Sequence, residues 1–191
     1  PFFIHSLMII RSAQKLEAKQ IAELMNLAML EITYQFIAEE NSEKANDFLA
    51  YFIAQEDNQY SYQNIFVAEE NDQIVGQISL YDGADLHRLR KPIWEKIKAD
   101  RKVEYWAEDE TQAGEIYLDT LAVSSSAQGK GVGKLLLQYA IDEYVHHQQK
   151  IIGLLVDKDN PNAKRLYERI GFKVVREIQI FGKIMEHMQY A

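Results

Sequence analysis

Residues 118–137 read LDTLAVSSSAQGKGVGKLLL, and this stretch decides the fold. Its first part belongs to an apolar run, Ile116–Val123, which has strand length and many β-forming residues. After three serines the chain turns through Gln128–Gly133 into a helical pattern. Glycines at alternate positions let the backbone approach a ligand and aim several N–H groups at one point. Because the following helix adds partial positive charge at its N-terminus, the stretch predicts a phosphate- or pyrophosphate-binding turn.

Two well-known phosphate loops fit this turn poorly. A Walker-type loop needs glycine at position 128 and Ser or Thr after the Gly-Lys pair, where this chain has Gln128 and Leu135. A dinucleotide-binding loop needs glycine at position 134, where the chain has Lys134. Asp157, at the end of a later strand, supplies the acid of that second pattern, so it stays open as an alternative. A tight turn without a ligand is the remaining interpretation.

A third loop pattern matches in full. Gln128, Gly131 and Gly133 fit the Gln/Arg-x-x-Gly-x-Gly/Ala loop of the GNAT superfamily of N-acetyltransferases. Downstream, residues 160–172 read NPNAKRLYERIGF, which resembles the Asn-x-x-Ala-x-x-x-Tyr-x-x-x-Gly-Phe segment of the same superfamily. The ordered pair of segments is more specific than either alone. The resemblance extends over about residues 8–191 and is firm over residues 115–172.

The order of predicted elements indicates an α/β (α+β) protein. Strand, helix, helix, strand and strand come first, then an inserted connection at residues 81–114, then strand, helix, strand, helix, strand and strand. The resemblance implies the GNAT fold, a twisted mixed sheet of about seven strands with helices on both faces. We predict a single GNAT domain over residues 8–191, with residues 1–7 as an added leader before Met8. The insertion is interpreted as a lid over the acceptor site, and a dimer contact or a solvent-exposed flap is the alternative.

Two helical patterns predict which side chains are buried. The first helix, from Ala13 to about Phe36, is expected to bury the apolar residues of one face: Leu16, Ile21, Leu24, Ala28 and Ile32. The helix after the glycine loop is expected to bury Val132, Leu135, Leu136, Tyr139 and Ala140. Gly76, inside a predicted strand, indicates a bulge or a close backbone approach.

Composition limits the class of protein and its partners. The chain has 191 residues, of which 47% are hydrophobic and 26% charged, as in ordinary globular domains. Its net charge of −8 argues against nucleic-acid binding, which needs a basic surface. No apolar run reaches the roughly 18 residues of a membrane span, so no membrane partner is expected. The absence of cysteine excludes disulfides and thiolate metal sites, fits a cytoplasmic protein and leaves no metal predicted.

The resemblance implies acetyl-coenzyme A as the cosubstrate. Its pyrophosphate is expected on the loop and the start of the next helix, formed by Gln128, Gly129, Lys130, Gly131, Val132, Gly133 and Lys134. Its pantetheine arm is expected along the backbone of Leu121, Ala122 and Val123, in a slot where this strand and the strand at Ile151–Val156 splay apart. Asn160 would bond to the same arm or cap its helix, and Ala163 would leave room for it.

Acetyl transfer to an amine requires deprotonation of the ammonium, polarisation of the thioester carbonyl and protonation of the leaving thiolate. Tyr167 is the candidate acid, because its spacing from Asn160 and Ala163 places all three on one helix face. Glu115 and Asp119 are the candidate bases, since alternate strand residues share a face. A chain of waters is the third alternative for the base.

The predicted function is therefore an N-acetyltransferase that moves an acetyl group from acetyl-coenzyme A to a primary amine of a small molecule or peptide. The amine attacks directly, so the lack of a cysteine nucleophile has no consequence. The alternative is a non-catalytic sensor or interaction module that binds coenzyme A. Because members of the superfamily are often dimers, the resemblance also implies a homodimer.

Overall fold

A computed structural model describes residues 8–191, and the predicted leader lies outside the described residues. The seven strands form one mixed sheet in the order β1-β2-β3-β4-β5-β7-β6, which confirms the predicted fold class. Within residues 8–191, no helix is both long and apolar enough to span a bilayer. The strands are β1 (Met8–Ser12), β2 (Ile65–Glu70), β3 (Gln73–Asp82), β4 (Ile116–Val123), β5 (Ile152–Asp157), β6 (Lys173–Ile180) and β7 (Lys183–Tyr190). The helices are α1 (Ala18–Ile37), α2 (Ser42–Ile53), α3 (Leu86–Arg101), α4 (Val132–Ala140) and α5 (Pro161–Ile170).

The chain forms two compact units, and strands β3 and β4 contribute residues to both. The first unit contains the described residues up to Glu56, together with Tyr60–Ser79 and Thr120–Leu136. The second contains Leu80–Asp119 and Leu137–Ala191. It also includes the short segment Asp57–Gln59.

In the first unit, β2 and β3 form an antiparallel hairpin, and Gly76 lies where its register shifts. Ala68 pairs with Gly76 and Glu69 pairs with Ile74, so Val75 is an extra residue that makes a bulge. A Cβ atom at Gly76 would lie 3.0 Å from Val132 Cγ1 and 3.2 Å from the carbonyl oxygen of Ala122. Both predictions for Gly76, a bulge and a close approach, are confirmed.

The predicted buried face of α1 is wrong at three of its five positions. Leu16 precedes the helix, in a 3-10 turn at Lys15–Glu17, and its side chain is 94% exposed. Ala28 and Ile32 are also exposed. The buried positions are Ala18, Ile21, Ala22, Leu24, Met25, Asn26, Met29, Thr33 and Phe36.

A kink in α1 accounts for the difference at Ile32. Met29 has φ −137° and ψ 22°, which are not helical values. The Thr33 hydroxyl lies 3.2 Å from the Met29 carbonyl oxygen, to which it donates, and 2.8 Å from Asn26 Oδ1. Side-chain bonding of this kind bends helices, so one stripe with a constant period does not describe both halves.

Helix α4 buries Val132, Leu136, Leu137 and Ala140, whereas Leu135 is 46% exposed. The prediction that Leu135 belongs to the buried stripe is therefore wrong. After Ala140 the chain continues as a π-helix at Ile141–His147. This wider winding changes the period, which no regular helical pattern in the sequence anticipates.

In the second unit, the insertion forms a packed helix. Helix α3 begins at Leu86 and buries Leu86, Leu89, Arg90, Ile93 and Ile97. Leu86 and Leu89 join Tyr81 and Tyr117 in one hydrophobic cluster, against which Leu155 packs. The insertion therefore contributes core residues to its unit.

The parallel ladder between β4 and β5 is short. Over residues 8–191 it is confined to Ile116 with Ile152 and Tyr117 with Gly153. By contrast, β5 pairs with β7 over six positions, from Ile152 to Asp157. A ladder that stops after Tyr117 agrees with the splay that the resemblance implies.

Strand β6 is the last strand of the sheet and is mostly exposed. It pairs with β7 in a register that shifts between Val174 and Arg176, so Val175 is an extra residue at a second bulge. Val174 and Val175 are 42% and 55% exposed.

Gly153 allows a buried carboxylate to lie against the β5 backbone. A Cβ atom at this position would lie 2.0 Å from Glu115 Oε2 and 2.3 Å from its Cδ. Three side-chain donors hold the Glu115 carboxylate, so it does not move aside at low cost. A side chain at position 153 would therefore overlap the Glu115 carboxylate.

We expect Gly153→Ala to lower the free energy of unfolding by about 1–3 kcal/mol through overpacking. Urea denaturation of the wild type and the variant measures this loss. The matched background is Glu115→Ala, where the carboxyl is gone and the same substitution is expected to have a much smaller effect. An equal loss in both backgrounds would show that the steric account is wrong.

Candidate functional site

The predicted phosphate loop lies in the first unit, between β4 and α4. A 3-10 turn at Ser125–Ala127 is followed by Gly129 and Gly131, with φ +77° and +83°. These are left-handed values that favour glycine. A Cβ at either position would have nothing within 4 Å, so both glycines border open space.

The loop is held by the chain on its N-terminal side. The backbone N–H of Gln128 donates to the Ser124 carbonyl oxygen at 3.0 Å, and its side-chain Nε2 donates to Val123 O at 3.3 Å. Helix α4 then begins at Val132, and the first N–H groups of a helix have no intrahelical acceptor. The loop therefore presents backbone donors and a helix N-terminus in one place.

The two lysines of the loop differ in their surroundings. Lys130 Nζ lies 3.9 Å from Glu70 Oε2, and more than half of its side chain is exposed. Lys134 is exposed on α4. Leu121, Ala122 and Val123 form the last residues of β4 before the loop.

Helix α5, in the second unit, carries the other predicted ligand-binding residues. Asn160 is its N-cap, because Asn160 Oδ1 accepts a hydrogen bond from the backbone N–H of Ala163 at 3.2 Å. Pro161 follows as the first helical residue and Gly171, with φ +120°, ends the helix. Asn160 therefore has the capping role that was one of its two predicted roles.

Tyr167 is half-buried and lies at the end of α5. Its ring packs against Phe172, with centroids 5.8 Å apart, and Phe172 packs against Tyr190 at 5.5 Å. Burial raises the pKa of Tyr167 to about 12. The phenol therefore stays protonated at neutral pH and is a hydrogen-bond donor throughout the physiological range.

Glu115 lies just before β4 and is almost fully buried, at 4% exposure. Its Oε1 accepts from the Thr111 hydroxyl at 2.8 Å, and its Oε2 lies 2.8 Å from both His187 Nε2 and Gln189 Nε2. Burial acts to raise the pKa of Glu115, but the hydrogen bonds from these three side chains outweigh it, so the pKa is lowered. A carboxylate so stabilised is a poor proton acceptor.

Asp119 is four residues further along the chain, within β4, and has a different environment. Gln59 Nε2 donates to Asp119 Oδ2 at 3.2 Å. Burial raises the pKa of Asp119 to about 6, against the opposing effects of the Gln59 hydrogen bond and the charge of Arg90. A carboxyl group with this pKa is ionised at neutral pH and is basic enough to accept a proton.

The three predicted catalytic residues all act on the pKa of one buried side chain, Tyr117. Its pKa is raised well above the usual value, chiefly by burial and further by the nearby Asp119, Glu115 and Tyr167. Its ring lies edge-on to Tyr81, with centroids 5.7 Å apart. Glu115, Asp119 and Tyr167, all in the second unit, are therefore close enough to this phenol to affect its titration.

Several residues of this neighbourhood were not identified from the sequence. The additional hydrogen-bonding residues are Gln59, Arg90, Glu110, Thr111, His187 and Gln189. Most are far along the chain from the groups that they contact, and none belongs to a recognisable motif. The acidic residues near Tyr105 were the available signal for Glu110, but they did not indicate its partner.

Comparisons with known proteins bear on the fold and the family of the chain. A crystal structure of an acetyltransferase is 34% identical, with a TM-score of 0.79 over 95% of this chain and 97% of that one. An N-acetyltransferase from Staphylococcus aureus is 21% identical with a TM-score of 0.84, over 95% of this chain and all of that one. At that lower identity the likeness shows the fold alone.

Relatives with curated names match shorter segments. The spermine/spermidine N(1)-acetyltransferase of Bacillus subtilis is 31% identical over 77 residues, which are 40% of this chain and 51% of that protein. A mycothiol acetyltransferase of Gordonia bronchialis is 30% identical over 97 residues, 51% of this chain and 27% of that protein. The chain thus matches only part of the length of these relatives. The model of the acetyltransferase (GNAT) family matches residues 22–172, which include the loop, both candidate bases and Tyr167, and the chain therefore belongs to this family.

Proposed function

We propose that the protein is an N-acetyltransferase that uses acetyl-coenzyme A and acetylates a primary amine of a small molecule or peptide. The observation that carries the proposal is the contrast between two carboxylates four residues apart, one just before β4 and one within it. Glu115 is held by three donors with a lowered pKa, whereas Asp119 has a pKa of about 6, and Asp119 and the half-buried Tyr167 both act on the pKa of Tyr117. One base and one hydrogen-bond donor are the groups that this transfer needs.

The residues of the loop fit the pyrophosphate of coenzyme A. Left-handed glycines with open space at the Cβ position allow close approach of a bulky anion to the backbone. The N-terminus of α4 favours negative charge there. We assign this role to the loop from Gln128 to Lys134, and we assign the pantetheine arm to the backbone of Leu121–Val123 with Asn160 and Ala163.

When bound, acetyl-coenzyme A supplies the thioester carbonyl that the amine attacks. Asp119 takes the proton of the incoming ammonium, which removes its charge and exposes the lone pair. Tyr167 donates its phenolic hydrogen to the sulfur as the thiolate leaves. In this proposal Glu115 is structural, because its lone pairs are already engaged by Thr111, His187 and Gln189.

The named relatives support acetyl transfer but differ in the acceptors that their names give, so the proposal specifies a primary amine and no particular molecule. The same chain without turnover would be a sensor of coenzyme A. The ionised Asp119 favours the enzyme over that alternative. We further propose a cytoplasmic homodimer that does not bind nucleic acid, in keeping with the acidic net charge of −8 and the lack of cysteine.

Gly131→Glu should abolish binding of coenzyme A. The new side chain would occupy the open space beside the loop and bring a negative charge to the phosphate site, at a residue whose φ already disfavours a Cβ. Isothermal titration with coenzyme A measures the affinity. Gly182→Glu is the matched control, because Gly182 also has a positive φ and open space but lies in the β6–β7 turn. Retained affinity in Gly131→Glu would exclude the loop as the phosphate site.

Asp119→Asn should lower kcat by about 100-fold or more, because an amide does not accept the ammonium proton. In the wild type we expect kcat to fall as the pH drops through about 6, where Asp119 becomes protonated. Transfer of labelled acetyl groups to a panel of amines between pH 5 and 8 measures both effects. Asp142→Asn, in the exposed π-helix segment, is the control and should keep full activity. Full activity of Asp119→Asn would show that Asp119 is not the base and would leave water as the proton acceptor.

Tyr167→Phe should lower kcat by about 10-fold or more while the KM for acetyl-coenzyme A changes little, since only the hydroxyl is removed. The control is Tyr190→Phe, which removes a hydroxyl from the other ring that packs on Phe172. Steady-state kinetics of the two variants give the comparison. A change in KM alone for Tyr167→Phe would leave the phenol with a role in binding only.

A further inference from the structure

A buried chain of polar side chains connects the insertion to Asp119. Gln59 Nε2 lies 3.2 Å from Asp119 Oδ2 and 3.1 Å from Glu110 Oε1. Gln59 is 6% exposed and Glu110 is 9% exposed, so the contact between them is buried, and the contact with Asp119 is partly buried. Buried polar contacts of this kind fix side-chain positions strongly, because breaking one leaves a group without a partner.

Glu110 is itself held by residues of the second unit. Arg90 Nη2 donates to Glu110 Oε2, and Arg90 Nη1 donates to Asp109 Oδ1 at 3.0 Å. The Tyr81 hydroxyl donates to Glu110 Oε1 at 3.2 Å. Because Arg90 is 3% exposed, its guanidinium is a fixed positive charge against which the Glu110 carboxylate is set.

These contacts fix the orientation of the Gln59 amide. Its Nε2 faces the oxygens of Asp119, Glu110 and Tyr81, whereas the amide oxygen in that position would face two carboxylates and be repelled. The backbone is fixed as well, because the N–H of Gln59 donates to the Leu89 carbonyl oxygen of α3 at 2.9 Å. The insertion thus holds Gln59 by both its main chain and its side chain.

We propose that Gln59 is a positioning residue for the base of the reaction: held by Glu110 and α3, it grips Asp119 through Oδ2 and turns Oδ1 toward the acceptor amine. The inference rests on the proposed function, since it assumes that Asp119 is the base. It gives the insertion at residues 81–114 a role in catalysis that does not depend on its acting as a lid. Gln59 acts through Asp119 and does not contact the reacting atoms.

The hydrogen bond from Gln59 stabilises the ionised form of Asp119, so its loss should raise the pKa of that carboxyl. The neighbouring charged and titratable groups are Arg90, Glu110, Glu115, Tyr81, Tyr117 and Tyr167. Substitutions at Gln59 or Gln77 change none of these groups. A change in the titration of Asp119 can therefore be assigned to the lost contact.

The test follows the titration of Asp119 directly, in the full-length protein without substrates. The ¹³C signals of the aspartate carboxyl groups are recorded against pH, and the signal missing from Asp119→Asn identifies Asp119. The wild type should titrate at about pH 6. In Gln59→Met, which keeps the length of the side chain but has no donor, we expect the midpoint to rise by about 1 pH unit. We also expect kcat at pH 7 to fall by about 10-fold.

Gln77→Met is the matched control. Gln77 is fully buried, and its Nε2 donates to Thr120 Oγ1 at 3.0 Å, so the variant loses a buried glutamine contact that does not involve Asp119. It should leave the midpoint of Asp119 unchanged. Should Gln59→Met not fold, Gln59→Asn replaces it; this side chain is one methylene shorter, does not reach Oδ2, and should raise the midpoint in the same direction.

An unchanged midpoint in the Gln59 variant, or an equal rise in Gln77→Met, would overturn the positioning role. The proposed function fails in a different way, if the wild type transfers no labelled acetyl group to any amine of the panel. Because the titration needs no acceptor and no turnover, the two failures are distinguished by separate measurements.

Discussion

The second unit depends on the hydrogen bonds that hold the buried carboxylate of Glu115. A buried negative charge is costly unless donors surround it, and here Thr111, His187 and Gln189 provide them. These donors come from the end of the insertion and from β7, while Gly153 of β5 provides the space. One side chain therefore ties together segments that are far apart in the sequence, close to where the β4–β5 ladder stops. Removal of one donor leaves the charge undersatisfied, so the arrangement tolerates little change.

The same strand face provides a second carboxylate with the opposite properties. Asp119 accepts a hydrogen bond from Gln59 and its burial raises its pKa, whereas the donors around Glu115 lower the pKa of Glu115. Environment therefore separates two chemically similar groups into a structural acceptor and a candidate base, a division of roles that enzymes often use. The alternation of side chains along an extended chain places both carboxylates on one face, but it does not tell which of them is structural and which is the base.

Features encoded by neighbouring residues could be predicted from the sequence, and features that depend on distant contacts could not. The loop at Gln128–Gly133 and the cap at Asn160 are local patterns whose geometry follows from glycine freedom and side-chain length. The buried face of α1 was predicted wrongly because the kink at Met29 interrupts a regular period. The link from Gln59 to Asp119 spans 60 positions, and the link from Glu115 to His187 spans 72. No periodicity or motif carries information about such pairs.

The second bulge has a consequence for how the protein behaves in a crowded solution. A strand at the end of a sheet presents unpaired N–H and C=O groups, onto which a strand from another molecule can add. At Val175 the extra residue twists this outer strand, and Arg176 and Glu177 put charges beside it. The exposed valines are therefore next to a backbone that is irregular and charged, which disfavours growth of the sheet from molecule to molecule. The irregularity that looks like a defect in the ladder acts as protection against aggregation.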